Sequence, residues 1–224
     1  MTGPVNATEI RAAVARSFGS VPSTGYARKP LPEASELASR QKVTVERMER
    51  QAYLGLAGRA PAVGDRDMCA VELLAHILGG SRTSRLNQVL REREKLVSTV
   101  TAGYGALQGG GVITITAQLE AKDLAAAESA TLEVIRRIRD QGVSSGELDR
   151  AITAAEAERV FGRETVEGLA LAYGRVEIIW SLAADRDYPA RLRAVSAAAV
   201  QSAAPRYLTD KYVSLILSPK AASS

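Results

Sequence analysis

Few residues in this chain of 224 could do chemistry. His76 is its only histidine and Cys69 its only cysteine. A thiol nucleophile wants an imidazole base. The one available lies about two turns further along the same apparent helix. Two such residues also fall short of a structural zinc site, which takes four ligands. Cys69 sits between Met68 and Ala70 and reads as a small buried apolar side chain. Gly109-Gly110-Gly111 lacks the following Lys and helix of a phosphate cradle. No second His completes a Ser/His/Asp arrangement, and no carboxylate pair has a visible reason to be perturbed. Catalysis by this chain alone is not expected.

The most specific wording runs from Ile77 to Lys95. Gly79 and Gly80 can end one helix through positive φ. Ser81, Thr83 or Ser84 can cap the next, and Leu86, Val89 and Leu90 give it an apolar stripe. The run Gly79-Gly80-Ser81-Arg82-Thr83-Ser84-Arg85-Leu86, followed by Leu90-Arg91-Glu92, resembles the Gly-Gly-x-x-Ser-Arg-Leu…Leu-Arg-Glu signature of the pitrilysin/insulinase family of zinc metallopeptidases, the inverzincins. In that family the signature belongs to the half that does not carry zinc.

The resemblance sets expectations for the site. A zinc-bearing half needs His-x-x-Glu-His on a helix plus a later Glu. Here the corresponding stretch is Glu72-Leu73-Leu74-Ala75-His76. It looks like a decayed copy, with Glu72 at the first His, Ala75 at the base and His76 alone retained. No catalytic and no metal-ligating residue is therefore expected, and zinc is expected only in a partner domain. The non-zinc half of the family offers substrate an Arg and a Tyr, in a pattern like Leu-Arg-Glu-x-x-Gly-Leu-Ala-Tyr. Arg91 matches the Arg, whose guanidinium can grip a carbonyl or carboxylate. Ser98 stands where the family has Tyr, and Lys95 replaces the Gly. Arg91 is thus either a substrate-binding residue or a solvated charge in an Arg-Glu-Arg-Glu run. Tyr104 lies on the same strand face as Ser98, but about 20 Å further along. Arg85 reads as structural, pinning the loop by bonding carbonyls at the end of the first helix.

The elements that must position these groups are legible as periodicities. A short helix covers residues 7–18, and Pro22, Gly25, Pro30 and Pro32 mark an extended linker up to Arg40. Val43 and Val45 alternate with polar residues, and 51–58 reads as a second strand. Asp65 or Asp67 could cap the helix that ends at Leu78. Val97 to Tyr104 and Val112 to Leu119 read as an antiparallel pair joined by Gly109–Gly111. In the second of these, Ile113, Ile115, Ala117 and Leu119 share one face. Helices follow: one after Asp123 to Gln141, one opened by the Ser144…Glu147 capping box, one from about Thr165 to Ala183, a shorter segment holding Pro189, and one started by Ser196 or Ser202. Tyr212 to Leu217 closes as a strand.

The expected fold is α+β: a mixed, largely antiparallel sheet with helices packed on one face, as in pitrilysin/insulinase-type domains. Residues 1–40 are expected to be the tail of a preceding domain plus linker, 41–219 the domain itself, and 220–224 a disordered tail. Lys and Arg total 29 against 25 Asp and Glu, interspersed, and aromatic content is 4%. Nothing asks for nucleic acid. No apolar run is long enough for a bilayer span, and no secretory leader is visible. A soluble bacterial protein is expected, with cytoplasm and periplasm both open. The expected function is the substrate-binding, non-catalytic half of a zinc metalloendopeptidase, enclosing peptide together with a zinc-bearing domain or subunit. The alternative is an inactive homologue serving as a structural or assembly subunit. Pairing as a homodimer or a heterodimer is left open.

Overall fold

The computed structural model describes residues 3–26, 29 and 36–220. Residues 27, 28 and 30–35 of the predicted Pro-rich linker, and residues 221–224 of the expected tail, lie outside the described residues. Helix α1 (Ala7–Phe18) is capped by Asn6, whose side chain accepts from the amide of Thr8. Strands β1 (Gln41–Arg47) and β2 (Ala52–Ala60) follow, then helix α2 (Met68–Gly79). A π-helical segment (Asn87–Arg93) leads into the hairpin of β3 (Thr99–Leu107) and β4 (Gly110–Leu119). Five helices come next: α3 (Leu124–Gln141), α4 (Ser145–Phe161), α5 (Val166–Ile179), α6 (Leu182–Arg193) and α7 (Ala197–Tyr207). Strand β5 (Val213–Pro219) closes the order.

The sheet runs β1-β5-β2-β4-β3, with β1–β5 parallel and the other pairings antiparallel. This is the mixed, largely antiparallel sheet that the sequence predicts. In β4, Ile113, Ile115, Ala117 and Leu119 are buried, while Val112, Thr114 and Thr116 are exposed. Helices α2, α3 and α7 cover the buried face. The hairpin turn is tighter than expected. Only Gln108 and Gly109 form it, while Gly110 and Gly111 pair with Leu107 and Ala106. A Cβ at Gly111 would come within 2.3 Å of the Pro61 carbonyl oxygen, so the third glycine serves close approach.

Helix α2 is the centre of the core. Ten of its twelve residues are buried, leaving only Glu72 and His76 partly accessible. Its predicted terminators act differently from expectation. Gly80 has φ −77 and Gly79 is helical, so neither uses positive φ. Gly79 is required instead by packing: a Cβ there would lie 2.2 Å from the amide nitrogen of Ala102 in β3. Asp67 holds the N-cap position without capping the helix. Its carboxylate is taken by Arg206 at 2.8 Å and by the Tyr207 hydroxyl at 3.0 Å. The predicted long helix from Thr165 is interrupted at Trp180 (φ −145), because Ser181 caps α6 through the amide of Ala184.

Buried charges tie the layers together. The Glu128 carboxylate of α3 accepts from Arg40 at 2.6 Å and from the Ser214 hydroxyl of β5 at 2.9 Å. Arg85 is structural, as its sequence position suggests, but it pins a different turn. It grips Glu147 through Nε at 2.6 Å and Nη2 at 2.9 Å, and donates to the Gly142 carbonyl at 2.9 Å. It therefore fastens the α3–α4 turn rather than the end of α2. Glu147 also completes the capping box with Ser144. The Arg85 hydrogen bond is the main reason its carboxyl is held down to about 2. Arg85→Ala leaves that carboxylate without its cation in a partly buried site. It should cost about 2–3 kcal/mol in urea unfolding. A loss below about 0.5 kcal/mol, the range of an ordinary surface substitution, would contradict this assignment.

Candidate functional site

The signature segment folds unlike an ordinary second helix. Ser81, Thr83 and Ser84 do not cap it. Asn87 organises it from within, its buried amide donating to Ser81 O at 3.0 Å, Ser84 Oγ at 3.1 Å and Val100 O at 3.0 Å. The helix then widens: the amide of Glu94 bonds Val89 O at 2.9 Å, an i→i−5 step. Lys95 ends the segment in the left-handed region, at φ 55. This is the position where the resembling pattern has Gly, and the glycine's purpose is clear: no Cβ crowds the following carbonyl there.

Arg91 lies on this segment, half-buried, and its side chain makes no hydrogen bond or ion pair among the described residues. Ser98 is exposed just before β3, and no hydrogen bond joins it to Arg91. Its hydroxyl donates to Gln118 O at 2.9 Å, beside a backbone bond to the same carbonyl at 2.8 Å. It is therefore engaged with the sheet. Tyr104 is no replacement for the missing phenol. Its hydroxyl donates to Pro61 O at 2.7 Å, and burial pushes its pKa up.

Two cavities are relevant. The open sheet face holds a shallow groove of about 270 Å³, lined by Tyr53, Thr99, Thr101, Thr116, Gln118 and Leu215 among others. The exposed register of β4 signals this surface in the sequence, although the residue types alone assign it no role. A larger cleft of about 980 Å³ opens near the β3–β4 turn, α7 and the start of β5. Its charges are largely satisfied, with Arg139 on Asp210 at 2.9 Å and Arg206 on Asp67. It brings no nucleophile to a base.

On α2, the Tyr188 hydroxyl donates to the Glu72 carboxylate. His76 Nε2 stands 3.7 Å from Glu158. Cys69 is buried, which pushes its thiol up to about 11 and away from the reactive thiolate.

Residues 1–155 match the family described as Peptidase M16 inactive domain. The chain belongs to this family. Among curated relatives, "Uncharacterized zinc protease YmxG" of Bacillus subtilis is 24% identical over 180 residues, 80% of this chain and 44% of that protein. An uncharacterized zinc protease of Mycobacterium tuberculosis is 24% identical over 176 residues, 78% of this chain and 40% of that one. The chain thus spans less than half the length of these relatives. Among solved structures, a protease from Helicobacter pylori superposes with a TM-score of 0.85 at 18% identity, over 97% of this chain and 54% of that one. A peptidase M16 inactive domain from Pseudomonas fluorescens gives 0.83 at 22%, over 99% and 53%. These two likenesses support the fold.

The zinc in the names of the curated relatives does not fit the residues of this inactive domain. Glu72 is claimed by Tyr188, Ala75 offers no donor, and His76 faces a carboxylate. Among the described residues no group of three or more His, Cys, Asp or Glu could hold a metal ion. No helix among them is long and apolar enough to cross a membrane.

Two predictions follow from this geometry. Burial first, and the nearby Glu158 second, raise the Glu72 carboxyl to about 7, against the opposing pull of Arg159. A carboxyl raised on folding stabilises fully below its unfolded value of 4.5, and that stability is lost as pH rises towards 7. The loss is roughly 3 kcal/mol. Glu72→Gln should flatten Tm between about pH 5 and 8 relative to the parent; equal slopes in both proteins would refute the raised carboxyl. Lys95→Gly should relieve left-handed strain and stabilise by about 0.5–1 kcal/mol, whereas Lys95→Val should destabilise by about 1–2 kcal/mol. Chemical denaturation reads both, and a destabilised glycine variant would contradict the strain.

Proposed function

We propose that this inactive domain is the substrate-facing, non-catalytic half of a zinc-dependent metalloendopeptidase, enclosing peptide together with a zinc-bearing domain or subunit. The observation that carries the reading is Arg91. The residue is half-buried and its guanidinium uncommitted among the described residues, on a π-helical segment that Asn87 fixes from inside. Such widened turns are frequent at functional sites. The chain then enters β3, whose Thr99 and Thr101 line the groove on the open sheet face. A planar, permanently charged fork suits a peptide carbonyl or terminal carboxylate. Water activation belongs to the partner, since α2 here offers no base beside a metal.

Ser98 favours a second reading, that of a structural or assembly subunit. Its hydroxyl is bonded to Gln118 O, so no phenol-like donor accompanies Arg91.

The test combines the chain with a zinc-bearing domain of the family and measures cleavage of a fluorogenic peptide. The first reading predicts a complex with raised kcat/KM. It also predicts that Arg91→Ala lowers kcat/KM about 10- to 100-fold with an unchanged unfolding midpoint, the range for losing a charge-assisted hydrogen bond. A complex whose turnover ignores Arg91→Ala supports the scaffold reading. No complex and no change in rate contradicts both.

A further inference from the structure

Helix α5 buries none of its residues. It rests on α6 through its half-buried positions and turns Leu171 (74% exposed) and Ile178 (61%) to solvent. Large apolar side chains set out in this way on one helix mark a contact surface. The sequence of that helix says what the contact is with. Reading outward from Leu171 in both directions, Ala170 mirrors Ala172, Leu169 mirrors Tyr173, Gly168 mirrors Gly174, Glu167 mirrors Arg175 and Val166 mirrors Val176. Residue type repeats at positions 170/172, 168/174 and 166/176, a large apolar side chain stands at both 169 and 173, and charge is inverted at 167/175.

We infer that α5 is a homotypic docking helix, pairing antiparallel with α5 of a second copy of this chain about a twofold axis through Leu171. In a twofold contact, residue i of one copy meets residue j of the other and the reverse. Leu171 then packs on the partner copy's own Leu171, and Glu167 meets Arg175 twice, once on each side. Glu167, Leu171 and Arg175 follow one another at helical spacing, so they share one face. Neither Glu167 nor Arg175 has an ion-pair partner among the described residues. An unlike partner would have to supply both opposite charges at this spacing, whereas a second copy lying antiparallel already carries them.

Gly174 supplies an independent sign. Glycine inside a helix costs about 1 kcal/mol relative to alanine. Nothing among the described residues calls for it: a Cβ built at Gly174 meets none of their atoms within 4 Å. A second helix lying across it gives it a use, because the distance between packed helix axes shortens where the side chains at the contact are small. Gly168, at the mirrored position, is additionally required at home, since its Cβ would come within 2.4 Å of Gly162 O.

Sedimentation equilibrium of the chain, from about 1 to about 200 μM, tests the inference. The expected mass rises from 23.8 kDa towards twice that value as concentration increases. Glu167→Arg and Arg175→Glu each place like charges together on both sides of the axis, and each should weaken association by about tenfold or more. The combined Glu167→Arg/Arg175→Glu variant inverts both signs and should restore it. Both substituted positions are exposed to solvent, and circular dichroism should show unchanged folding in all three variants. A parent chain that stays monomeric throughout would overturn the inference. So would single variants that associate as well as the parent, or a double variant as weak as the singles, since the last result belongs to a face that meets an unlike partner.

Discussion

The close approach of α2 to β3 at Gly79 is the constraint on which the rest of the structure depends. With 2.2 Å between a would-be Cβ and the Ala102 amide, any other residue pushes the helix off the sheet. The helix carries Leu73, Leu74 and Leu78, each fully buried, and each such side chain contributes roughly 1.5–3 kcal/mol. Lifting it would open the contact between α2 and β3 and loosen the packing of α4, α6 and α7 around it. The same contact decides where the chain leaves α2. From there Asn87 reaches back to Val100 of the same strand, and the π-helical turn that presents Arg91 is built between these two anchors.

That arrangement makes α2 a packing element. Its accessible polar positions are Glu72 and His76, and each faces a partner from the helical layer: Tyr188 of α6 for the carboxylate, Glu158 of α4 for the imidazole. A carboxyl raised by burial, as Glu72 is, and already accepting from a phenol makes a poor cation ligand.

Much of the fold is legible because its periodicities are strong. The β4 alternation, the Ser144…Glu147 capping box and the order of strands and helices all read directly, since each depends on neighbours close in sequence. What escapes the sequence is long-range. Glycines at 79 and 111 look like turn formers but answer to strands and carbonyls brought close by folding. Asp67 looks like a cap but is diverted by Arg206 and Tyr207 from the far end of the chain. Arg85 reads as structural, but its partner across the α3–α4 turn is not visible without the fold. Of the site, Arg91 is legible from its motif, Ser98 as an absence of Tyr, and the sheet-face groove only as a register without a role. The mirror order of α5 lies in the sequence, but it acquires meaning only once that helix is known to be uncovered.

The central claim is that an engaged carboxylate, an alanine and a lone imidazole on α2 leave this inactive domain without a metal centre. Equilibrium dialysis of the purified chain against zinc, with the bound metal measured by mass spectrometry, tests it most directly. The account predicts zinc well below one ion per chain, unaffected by His76→Ala. One tightly held ion per chain, lost in His76→Ala and accompanied by chelator-sensitive peptide hydrolysis, would contradict it.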